Sequence, residues 1–410
     1  MQADIVIIGG GASGIAAAIE AKKTDMRLRV VICERLDRIG KKILSTGNGR
    51  CNLSNRSITG KNYHGSVEAV RYMEGCQSAD EFFSELGLLC SYDEQGRIYP
   101  YSNSAASVLN ALRIRLAALG VEVISGFRAV DIKSGPNAYT VTAENGEKVT
   151  AKRVIIAAGG YAAPSCGTDG SMIKLMREKG YKVSKIVPAV APLRTSPDSL
   201  KGLKGVRAKC KVSAYSRGKL LREENGEVQF TENSLSGICV FNMAYLLSEH
   251  EGELTLSLDL APEFSSEQLY DYLMNIKKQR PELGADELLT GLFTKNLAIY
   301  IAKRALGINM NTPISSIGRD GMNAAAKLIK RCDFSITGTS SWQSAQATHG
   351  GIHASEIDVR LASRREKGIY FCGEIVDTVG DCGGYNLQWA WTSGAIAGRN
   401  CALSLKGERK

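Results

Sequence analysis

A glycine motif at the start of the chain constrains the fold more than any other feature. Ile5 to Ile8 is a short apolar run, typical of a strand buried on both faces, and Gly9, Gly11 and Gly14 follow it in G-x-G-x-x-G spacing. The next residues are good helix formers, and Glu34 comes 20 residues after Gly14. This order of strand, glycines, helix and acid predicts a dinucleotide-binding unit, with a pyrophosphate at the helix N-terminus and a ribose at the acid.

Composition narrows the class of protein. The chain has 410 residues, enough for two or three domains, and its 44% hydrophobic and 23% charged residues are typical of a globular protein. No stretch approaches the ~18 consecutive apolar residues of a membrane span, and no signal peptide precedes the first strand, so a cytoplasmic protein is expected. Eleven cysteines without a C-x-x-C pair, and only 4 histidines, argue against a disulfide framework or a metal site.

The net charge of +10 has one local concentration. Eight cationic residues fall between Lys201 and Arg222, and from Val206 to Val212 they alternate with apolar residues, which predicts a strand with one solvated face. A solvated basic face explains this pattern most simply, and binding of an anionic ligand or of RNA are the alternatives. Because the cations are not regularly interleaved with aromatic residues, nucleic acid is not expected as a partner.

Periodicity predicts further elements of the first domain. Ser104 to Leu119 has a helical apolar face, and Val121 to Ile124 follows as a parallel strand. Two strands joined by Glu144-Asn-Gly-Glu147 form a predicted hairpin and lead into Arg153 to Gly160, a buried strand that ends in glycines. Such an ending lets the backbone approach a ligand at the carboxyl edge of the sheet.

The pattern changes in the middle of the chain. Residues 190–260 form short alternating runs, with a second hairpin predicted at Glu224-Asn-Gly-Glu227, as in an antiparallel barrel. Residues 264–331 lack strand alternation and read as several helices. Strand patterns return near Gly368, so the two ends of the chain are expected to form one domain into which the middle is inserted.

Several segments together resemble a known group of flavoproteins. The specific blocks are Gly47-Asn-Gly-Arg-Cys-Asn52 and Gly383-Gly-Tyr-Asn-Leu-Gln388. Ala157-Ala-Gly-Gly160, Thr348-His-Gly-Gly351 and Gly373-Glu-Ile-Val-Asp377 also match, so the resemblance runs from end to end. On these blocks the chain is similar to the HI0933-like family of FAD-dependent oxidoreductases, the group of BaiN-type bile-acid reductases and aminoacetone oxidases.

The resemblance implies an α/β fold. A Rossmann-like FAD-binding domain of the glutathione-reductase type is expected, interrupted by a small antiparallel β-barrel and a helical insert. The implied ranges are 1–188 with 345–410 for the FAD-binding domain, 189–262 with 332–344 for a β-barrel substrate domain, and 263–331 for the helical insert.

FAD is the cofactor that the resemblance implies. Gly9 to Gly14 are then expected at the pyrophosphate, Glu34 at the adenosine ribose, and the backbone of Val130 at adenine. Asn386 to Gln388 begin a helix under the isoalloxazine, where a helix N-terminus stabilises the negative charge of the reduced ring near N1 and C2=O. The full set of expected FAD contacts is Gly9, Gly11, Ala12, Ser13, Gly14, Glu34, Arg35, Lys42, Gly49, Arg50, Cys51, Asn52, Val130, Ala158, Gly159, Gly373, Glu374, Asp377, Gly384, Asn386, Leu387 and Gln388.

Two residues are candidates for proton transfer. Reduction of an activated C=C bond needs a hydride from flavin N5 at the β-carbon and an acid for the α-carbon. His349 and Tyr161 lie in glycine-rich segments near the expected flavin face and are the candidate acids. Cys51 has no partner cysteine nearby, so a packing or flavin contact is expected rather than a redox thiol. Because no second G-x-G-x-x-G is present, the electrons are expected from NADH or NADPH that docks transiently, or from another donor.

The leading hypothesis is an NAD(P)H-driven reduction of an activated C=C bond in an apolar conjugated ketone, such as a steroid or bile-acid intermediate. A short likeness of Thr348 to Ile352 to fumarate reductases favours the same reaction class. The first alternative is an amine oxidase that passes electrons to oxygen, as aminoacetone oxidases do. The second is an RNA-binding or RNA-modifying flavoprotein, supported by the basic segment alone. The identity of the substrate and the oligomeric state stay open.

Overall fold

A computed structural model of the protein describes residues 1–250 and 252–406, so residue 251 and residues 407–410, which the predicted domain ranges include, lie outside the described part. The strands are β1 Gln2–Ile8, β2 Val30–Cys33, β3 Ser54–Asn55, β4 Tyr63–His64, β5 Cys90–Tyr92, β6 Arg97–Pro100, β7 Glu122–Ile124, β8 Ala129–Ser134, β9 Tyr139–Ala143, β10 Lys148–Ile156, β11 Val187–Ala189, β12 Leu193–Thr195, β13 Arg207–Ser216, β14 Lys219–Phe230, β15 Ser234–Ser236, β16 Leu254–Asp259, β17 Cys332–Thr339, β18 Ala347–His349, β19 Ile369–Phe371 and β20 Val379–Gly380. The helices are α1 Ala12–Thr24, α2 Lys41–Ser45, α3 Ala69–Met73, α4 Ala79–Glu85, α5 Ala105–Ala118, α6 Ser171–Glu178, α7 Ile238–Phe241, α8 Leu246–Glu249, α9 Ser266–Gln279, α10 Lys295–Leu306, α11 Arg319–Lys330 and α12 Tyr385–Lys406.

The described chain divides into two compact units. One contains Met1–Ala189 together with the chain from Ser341 onward, and the other contains Val190–Ser340. Each unit has its own buried hydrophobic cluster. The first unit is therefore assembled from both ends of the chain.

The first unit is organised around a seven-stranded sheet in the order β7-β2-β1-β10-β9-β8, with β19 also paired to β10. Strands β7, β2, β1, β10 and β19 pair in parallel, whereas β9 and β8 add an antiparallel extension. Strand β10 belongs to both the antiparallel and the parallel part of the sheet, because Lys148–Ala151 pairs with β9 and Val154–Ile156 pairs with β19. The carboxyl ends of the parallel strands lead into the segments that carry the glycine motifs, as the Rossmann-like fold predicts.

The second unit contains a closed barrel in the order β12-β15-β14-β13-β16-β17. Helices α9, α10 and α11 share a hydrophobic core with it, in which Val212 and Leu256 from the barrel are buried with Leu273 and Ile301 from the helices. The predicted fold class, a Rossmann-like α/β domain interrupted by an antiparallel barrel and helices, is confirmed.

The tetrapeptide Glu-Asn-Gly-Glu occurs twice and adopts two structures. Asn145-Gly146 makes the predicted turn between β9 and β10. The hairpin predicted at Glu224-Asn-Gly-Glu227 is wrong, because these residues lie inside β14 and the turn from β13 falls at Arg217-Gly218, where φ is 49° and 77°. A Cβ on Gly226 would lie 3.1 Å from Sγ of Cys239, so this glycine lets α7 pack closely against the strand.

Other predicted elements of the first unit are confirmed. Helix α5 occupies the predicted range from Ser104 to Leu119, and β7 pairs in parallel with β2.

Among the described helices, none is long and apolar enough to cross a bilayer. No cluster of histidine, cysteine and carboxylate side chains suited to a metal ion occurs within residues 1–250 and 252–406.

Candidate cofactor site

Three glycines shape the turn from β1 into α1, and each is required or tolerated there for a different steric reason. Gly9 has a φ of +106°, and a Cβ there would lie 2.4 Å from the carbonyl oxygen of Ala157. At Gly14 a Cβ would lie 2.0 Å from the carbonyl oxygen of Gly9, so helix and strand pack backbone to backbone. At Gly11 no atom lies within 4 Å of a Cβ position, so the space in front of the helix stays open. The open position is the one that the motif assigns to a phosphate.

The start of α1 presents positive charge to this space. The N-cap Gly11 makes no side-chain cap hydrogen bond, and the first turn contains no acidic residue. The first-turn N–H groups, which include those of Ala12, Ser13 and Gly14, have no carbonyl partners inside the helix. A helix N-terminus of this kind binds a phosphate through its N–H groups and its dipole.

Glu34 lies at the carboxyl end of β2, as predicted for a ribose ligand. Its Oε2 accepts a hydrogen bond from the N–H of Gly10 at 2.8 Å, and its Oε1 accepts one from the N–H of Leu36 at 2.8 Å. These two donors fix the carboxylate beside the glycine turn. Each oxygen of a carboxylate has a second lone pair, so the fixed group can still accept a hydroxyl.

Arg35 and Val130 are the other residues predicted at the adenosine end. Arg35 Nη1 pairs with Asp169 Oδ2 at 2.6 Å, and Arg128 reaches the same carboxylate at 3.1 Å. Burial opposes ionisation of Asp169, but hydrogen bonds from Ser171 and the pair with Arg35 outweigh it and lower the pKa to about 2. Val130 is the extra residue of a β-bulge, so its backbone lies outside the β8–β9 ladder, as a backbone contact to adenine requires.

The loop predicted on the flavin side has a strained backbone. Four residues of Gly47–Cys51 have positive φ, between 54° and 83°. Asn48 and Cys51 carry side chains in this region, at a cost on the order of 1 kcal/mol each. The guanidinium of Arg50 lies 4.6 Å from the ring centre of Tyr99. Burial raises the pKa of the Cys51 thiol to about 12, so this cysteine is no thiolate at neutral pH.

The start of α12 is held by side chains from several segments. A Cβ on Gly384 would lie 2.3 Å from the carbonyl oxygen of Ser54 and 2.8 Å from Oδ1 of Asn52. Asn386 closes the turn, because its Nδ2 donates to the carbonyl oxygen of Gly380 at 2.7 Å and its Oδ1 accepts from the N–H of Gly380 at 2.9 Å. The two sequence blocks predicted on the flavin side therefore meet at one helix N-terminus.

Direct packing of α1 against α12 holds the two helix starts in register. A Cβ on Gly394 would lie 2.3 Å from the carbonyl oxygen of Ser13, and one on Gly398 would lie 2.2 Å from that of Ala17. Because the residue numbers rise together along this contact, the helices run parallel. Gly394 lies level with Ser13, whereas α12 begins at Tyr385. At a rise of 1.5 Å per residue, the start of α12 therefore extends about 14 Å past Ser13. The site therefore has two helix N-termini, one set back from the other.

Glu374 connects the predicted flavin residues with the candidate proton donors. Its Oε2 pairs with Nζ of Lys42 at 2.7 Å, and its Oε1 accepts from the N–H of Thr348 at 2.9 Å. Oγ1 of Thr348 accepts from the N–H of Tyr161 at 2.8 Å. Tyr161 and His349, which follows Thr348 in β18, consequently lie on adjoining segments, and His349 is buried.

Buried polar atoms provide a test of whether these residues fit FAD. In the described part of the chain, Oδ1 of Asn52, Oδ1 of Asp377 and Oγ1 of Thr378 are buried without a hydrogen-bond partner, although Oδ2 of Asp377 accepts from the N–H of Ser66 at 3.1 Å. Buried polar atoms are almost always paired, so a ligand or water is expected beside them. The two amide and carboxylate oxygens call for hydrogen-bond donors, and FAD offers ribityl hydroxyls and a ring N–H as well as a pyrophosphate for the open space at Gly11.

The other predicted contacts lie on the same elements. Ala158 and Gly159 follow β10, Gly373 follows β19, and Leu387 and Gln388 are in the first turn of α12. Gly373 joins the two helices, because its N–H donates to Oγ of Ser393 at 2.9 Å and a Cβ on it would lie 2.3 Å from Oγ of Ser13.

Two residues beside α12 were missed by sequence reasoning. Nε2 of His64 lies 2.9 Å from Oδ1 of Asp381, and both side chains are largely buried. Strand β4 has only two residues, and 317 positions separate the partners, so neither periodicity nor a local motif signals this contact. Tyr63, on the same strand, donates its hydroxyl to the carbonyl oxygen of Tyr385 at 2.9 Å.

Known proteins resemble this chain over its full length. The family described as the HI0933-like protein Rossmann domain matches residues 3–400. A 3-dehydro-bile acid delta(4,6)-reductase of Clostridium scindens is 37% identical over 406 residues, which cover 97% of this chain and 98% of the relative. Ribosomal RNA dihydrouridine synthases of Haemophilus influenzae and Escherichia coli are 26% and 24% identical, over 98% and 95% of this chain and 98% and 96% of their own.

A solved structure supports the fold alone. The quinol fumarate reductase of E. coli superposes with a TM-score of 0.51 at 15% identity, over 100% of this chain and 71% of that one.

Proposed function

We propose, from the premise that this chain belongs to the HI0933-like family of FAD-dependent oxidoreductases, that it reduces a C=C bond conjugated with a carbonyl group in an apolar, steroid-like ketone. The observation that carries the proposal is the relationship to the delta(4,6)-reductase, 37% identity over 97% of the chain. The fit of the residues around α1 and α12 to FAD supports it.

The names of the relatives point to one chemistry. Reduction of a 4,6-unsaturated 3-dehydro bile acid and conversion of uridine to dihydrouridine each add two hydrogens across a C=C bond that is conjugated with a carbonyl. Such a bond accepts a hydride at the β-carbon because the carbonyl oxygen takes up the developing negative charge. The α-carbon then takes a proton from an acid. One hydride and one proton balance the reaction.

The residues of the first unit supply binding and electrostatics. With FAD bound, the N-terminus of α1 would hold the pyrophosphate in the open space at Gly11, and Glu34 would accept a hydrogen bond from a ribose hydroxyl. The N-terminus of α12, held by Asn386, stabilises negative charge on the ring system. When bound, FAD supplies the hydride. The second helix start would therefore favour reduction of the cofactor by its electron donor.

His349 and Tyr161 are the proposed proton donors, and their substitution separates the two half-reactions. We expect His349→Gln or Tyr161→Phe to lower kcat for enone reduction by about 10²–10⁴-fold, the usual contribution of a general acid. Reduction of the flavin by NADH or NADPH consumes no such proton, so its rate should stay within about twofold of the wild-type rate. Loss of both half-reactions together would indicate a structural role for the residue.

The direct test starts from the FAD-loaded protein under anaerobic conditions. We expect NADH or NADPH to bleach the flavin band near ~450 nm, and a 3-oxo-4,6-diene bile acid to restore it while gaining two hydrogens. Mass spectrometry of the steroid gives the second readout. Bleaching by an amine alone, with peroxide formed in air, would instead support the amine-oxidase alternative.

Reduction of uridine in RNA is a second candidate, which the two ribosomal RNA dihydrouridine synthases favour. Four of the eight cations of the basic segment, Lys204, Arg207, Lys211 and Arg222, pair with neighbouring acids, which reduces the charge that the segment offers to phosphates. The N–O distances are 3.1 Å, 3.0 Å and 2.8 Å for Lys204–Glu232, Arg207–Glu227 and Lys211–Glu223. A small ketone is the preferred substrate because the delta(4,6)-reductase is 37% identical to this chain, against 26% and 24% for the two synthases. Dihydrouridine formed in ribosomal RNA faster than the steroid is reduced would reverse this preference.

A further inference from the structure

Tyr161 and Trp342 form an aromatic pair beyond the carboxyl end of β10, and the function proposed above gives Trp342 no role. The centres of the two rings lie 5.2 Å apart and their planes are tilted by 33°, a geometry in which aromatic rings attract each other. The N–H of Ala163 donates to the carbonyl oxygen of Trp342 at 3.0 Å. The N–H groups of Tyr161 and Ala162 donate to Oγ1 of Thr348 at 2.8 Å and 3.1 Å. Hydrogen bonds on both sides therefore hold the two segments together around the pair.

A glycine under the Tyr161 ring fixes the orientation of that ring. Gly170 has a φ of +71°, and a Cβ there would lie 2.0 Å from Cζ of Tyr161 and 2.2 Å from each Cε. The ring therefore lies directly on the main chain of Gly170, where no larger residue fits. Tyr161 and Trp342 are both only half-buried, so part of the surface of the pair is open to a ligand.

Trp342 differs from the other two tryptophans of the chain. Trp389 and Trp391 are each 3% exposed, and their Nε1 atoms donate to the carbonyl oxygens of Gly373 and Leu53 at 3.1 Å. A tryptophan that serves packing has its N–H paired in this way. Trp342 is half-buried, and its indole N–H makes no hydrogen bond to any residue that the structure describes. Its indole is therefore not a packing group of the same kind.

The position of the pair relates it to the proposed reaction. Tyr161 is one of the two proposed proton donors, and a proton donor must lie within hydrogen-bond reach of the substrate. Because the centre of the Trp342 indole lies 5.2 Å from the centre of the Tyr161 ring, it borders the same space. Ligands of sheets of this type also bind beyond the carboxyl ends of the strands, where this pair lies.

We propose that the indole of Trp342 packs against the fused rings of the substrate and thereby selects polycyclic ketones over small enones. An indole offers a large, rigid, apolar face, and the stabilisation from covering it grows with the apolar area of the ligand. A ketone with several fused rings supplies that area, whereas an enone with one ring does not. Trp342 is then a specificity-determining residue that takes no part in proton transfer. This inference rests on the proposed function.

The test measures kcat and KM of the FAD-loaded protein for a 3-oxo-4,6-diene bile acid. In Trp342→Ala we expect KM to rise about tenfold or more, because the apolar rings lose their partner, and kcat to stay within about twofold. The rate of flavin reduction by NADH or NADPH should also stay within about twofold. With 2-cyclohexenone as a second substrate, kcat/KM should be nearly equal in the variant and the wild-type protein, so the preference for the bile acid falls.

Trp342→Phe is the matched control, because it keeps a flat aromatic ring at the same position. We expect its KM for the bile acid to stay within about threefold of the wild-type value. Phe264→Ala removes an aromatic side chain that is 46% exposed in the second unit, and it should change neither kcat nor KM. If Trp342→Ala does not fold, Trp342→Leu takes its place, and its KM should exceed that of Trp342→Phe.

Three results would overturn the proposal. They are an unchanged KM in Trp342→Ala, a KM in Trp342→Phe as high as in the alanine or leucine variant, and an equal loss of kcat/KM for the bile acid and 2-cyclohexenone. The last result would mean that Trp342 only supports the segment of Tyr161.

Binding of the bile acid to the oxidised protein, followed by the change in flavin absorbance, separates this inference from the proposed function. A wild-type protein that binds the bile acid without reducing it contradicts the proposed function. The affinities then decide the role of Trp342: a loss of about tenfold in Trp342→Ala supports it, and equal affinities overturn it. A wild-type protein that does not bind the bile acid contradicts both.

Discussion

The starts of α1 and α12 are both glycine-rich helix N-termini, but they are built in opposite ways. The start of α1 consists of backbone, with Gly9 and Gly14 closed by steric contact and Gly11 open. The start of α12 is held by side chains, which include Asn386 of its own first turn and Tyr63 from the distant strand β4. The first suits a phosphate and tolerates little change. The second depends on side-chain hydrogen bonds, which single substitutions can remove one at a time.

The largest effect is expected from closing the backbone turn itself. In Gly14→Ala the new methyl would lie 2.0 Å from the carbonyl oxygen of Gly9, so strand and helix must separate. We expect the free energy of unfolding to fall by about 3 kcal/mol or more and FAD to be lost. Denaturant unfolding and the absorbance of bound flavin measure the two effects.

Gly11→Ala is the matched control for that turn. Its φ of −81° suits alanine, and no atom lies within 4 Å of the new methyl, so stability should change by less than about 1 kcal/mol. The methyl occupies the space assigned to the phosphate, so FAD should bind more weakly in a protein that is folded. Equal stability of Gly14→Ala and Gly11→Ala would contradict the steric account.

Asn386→Ala breaks the start of α12 and leaves α1 intact. Loss of the Asn386 amide leaves the N–H and carbonyl groups of Gly380 without these hydrogen bonds. The free energy of unfolding should fall by about 1–3 kcal/mol. FAD should remain bound through α1, but its absorption spectrum and its potential should shift. Asn400→Ala, which removes a 2.9 Å bond to the carbonyl oxygen of Ile396 on the same helix, should leave both unchanged.

Ser54→Ala should have a smaller effect at the same helix start. Oγ of Ser54 donates to Oε1 of Gln388 at 2.6 Å, and both residues are buried. Removing one neutral hydrogen bond of this kind should lower the free energy of unfolding by about 1 kcal/mol. Urea unfolding measures it, and a change above about 3 kcal/mol would mean that the contact holds more of the turn than the hydrogen bond alone.

The smallest effect is expected at the adenosine end, in the pH dependence of stability. The pKa of Asp169 is lowered to about 2 by Ser171 and Arg35 against the opposing effect of burial, so its contribution is present above the ordinary value of 3.8 and is lost as the pH falls from there towards 2. The Asp169 side chain is 31% exposed, so solvent screening keeps the contribution below about 1 kcal/mol. Asp169→Asn should therefore be slightly less stable than the wild-type protein at about pH 5, and the difference should vanish near pH 2.

The sequence predicts what depends on local order and misses what depends on distant packing. The strand, glycines and helix of α1 are consecutive, so spacing alone predicts their geometry. The two Glu-Asn-Gly-Glu segments show the limit: the first turns, whereas the second lies inside β14 and pairs with β13. The tetrapeptide is the same in both, so the difference arises outside it.

The candidate site likewise contains residues that the sequence predicts and residues that it does not. The FAD contacts were proposed from motif blocks, and the structure brings the blocks around Asn52 and Gly384 together at one helix start. The pairing of His64 with Asp381 joins residues 317 positions apart through strands of two residues each, which no local pattern encodes. The roles of His349 and Tyr161 stay predictions, because burial and hydrogen bonding place them on adjoining segments without identifying an acid.

The close packing of α1 against α12 has a consequence for synthesis of the chain on the ribosome. The face of α1 that bears Ser13 and Ala17 is covered by a helix that begins at Tyr385, so it stays uncovered until translation has passed Gly398. At about 5–20 residues per second, the roughly 360 residues between the two helices take about 20–70 seconds to make. During that time the inserted unit can fold, whereas the cofactor-binding unit cannot be completed. The proposed cofactor site can therefore be completed only after the inserted unit has been made.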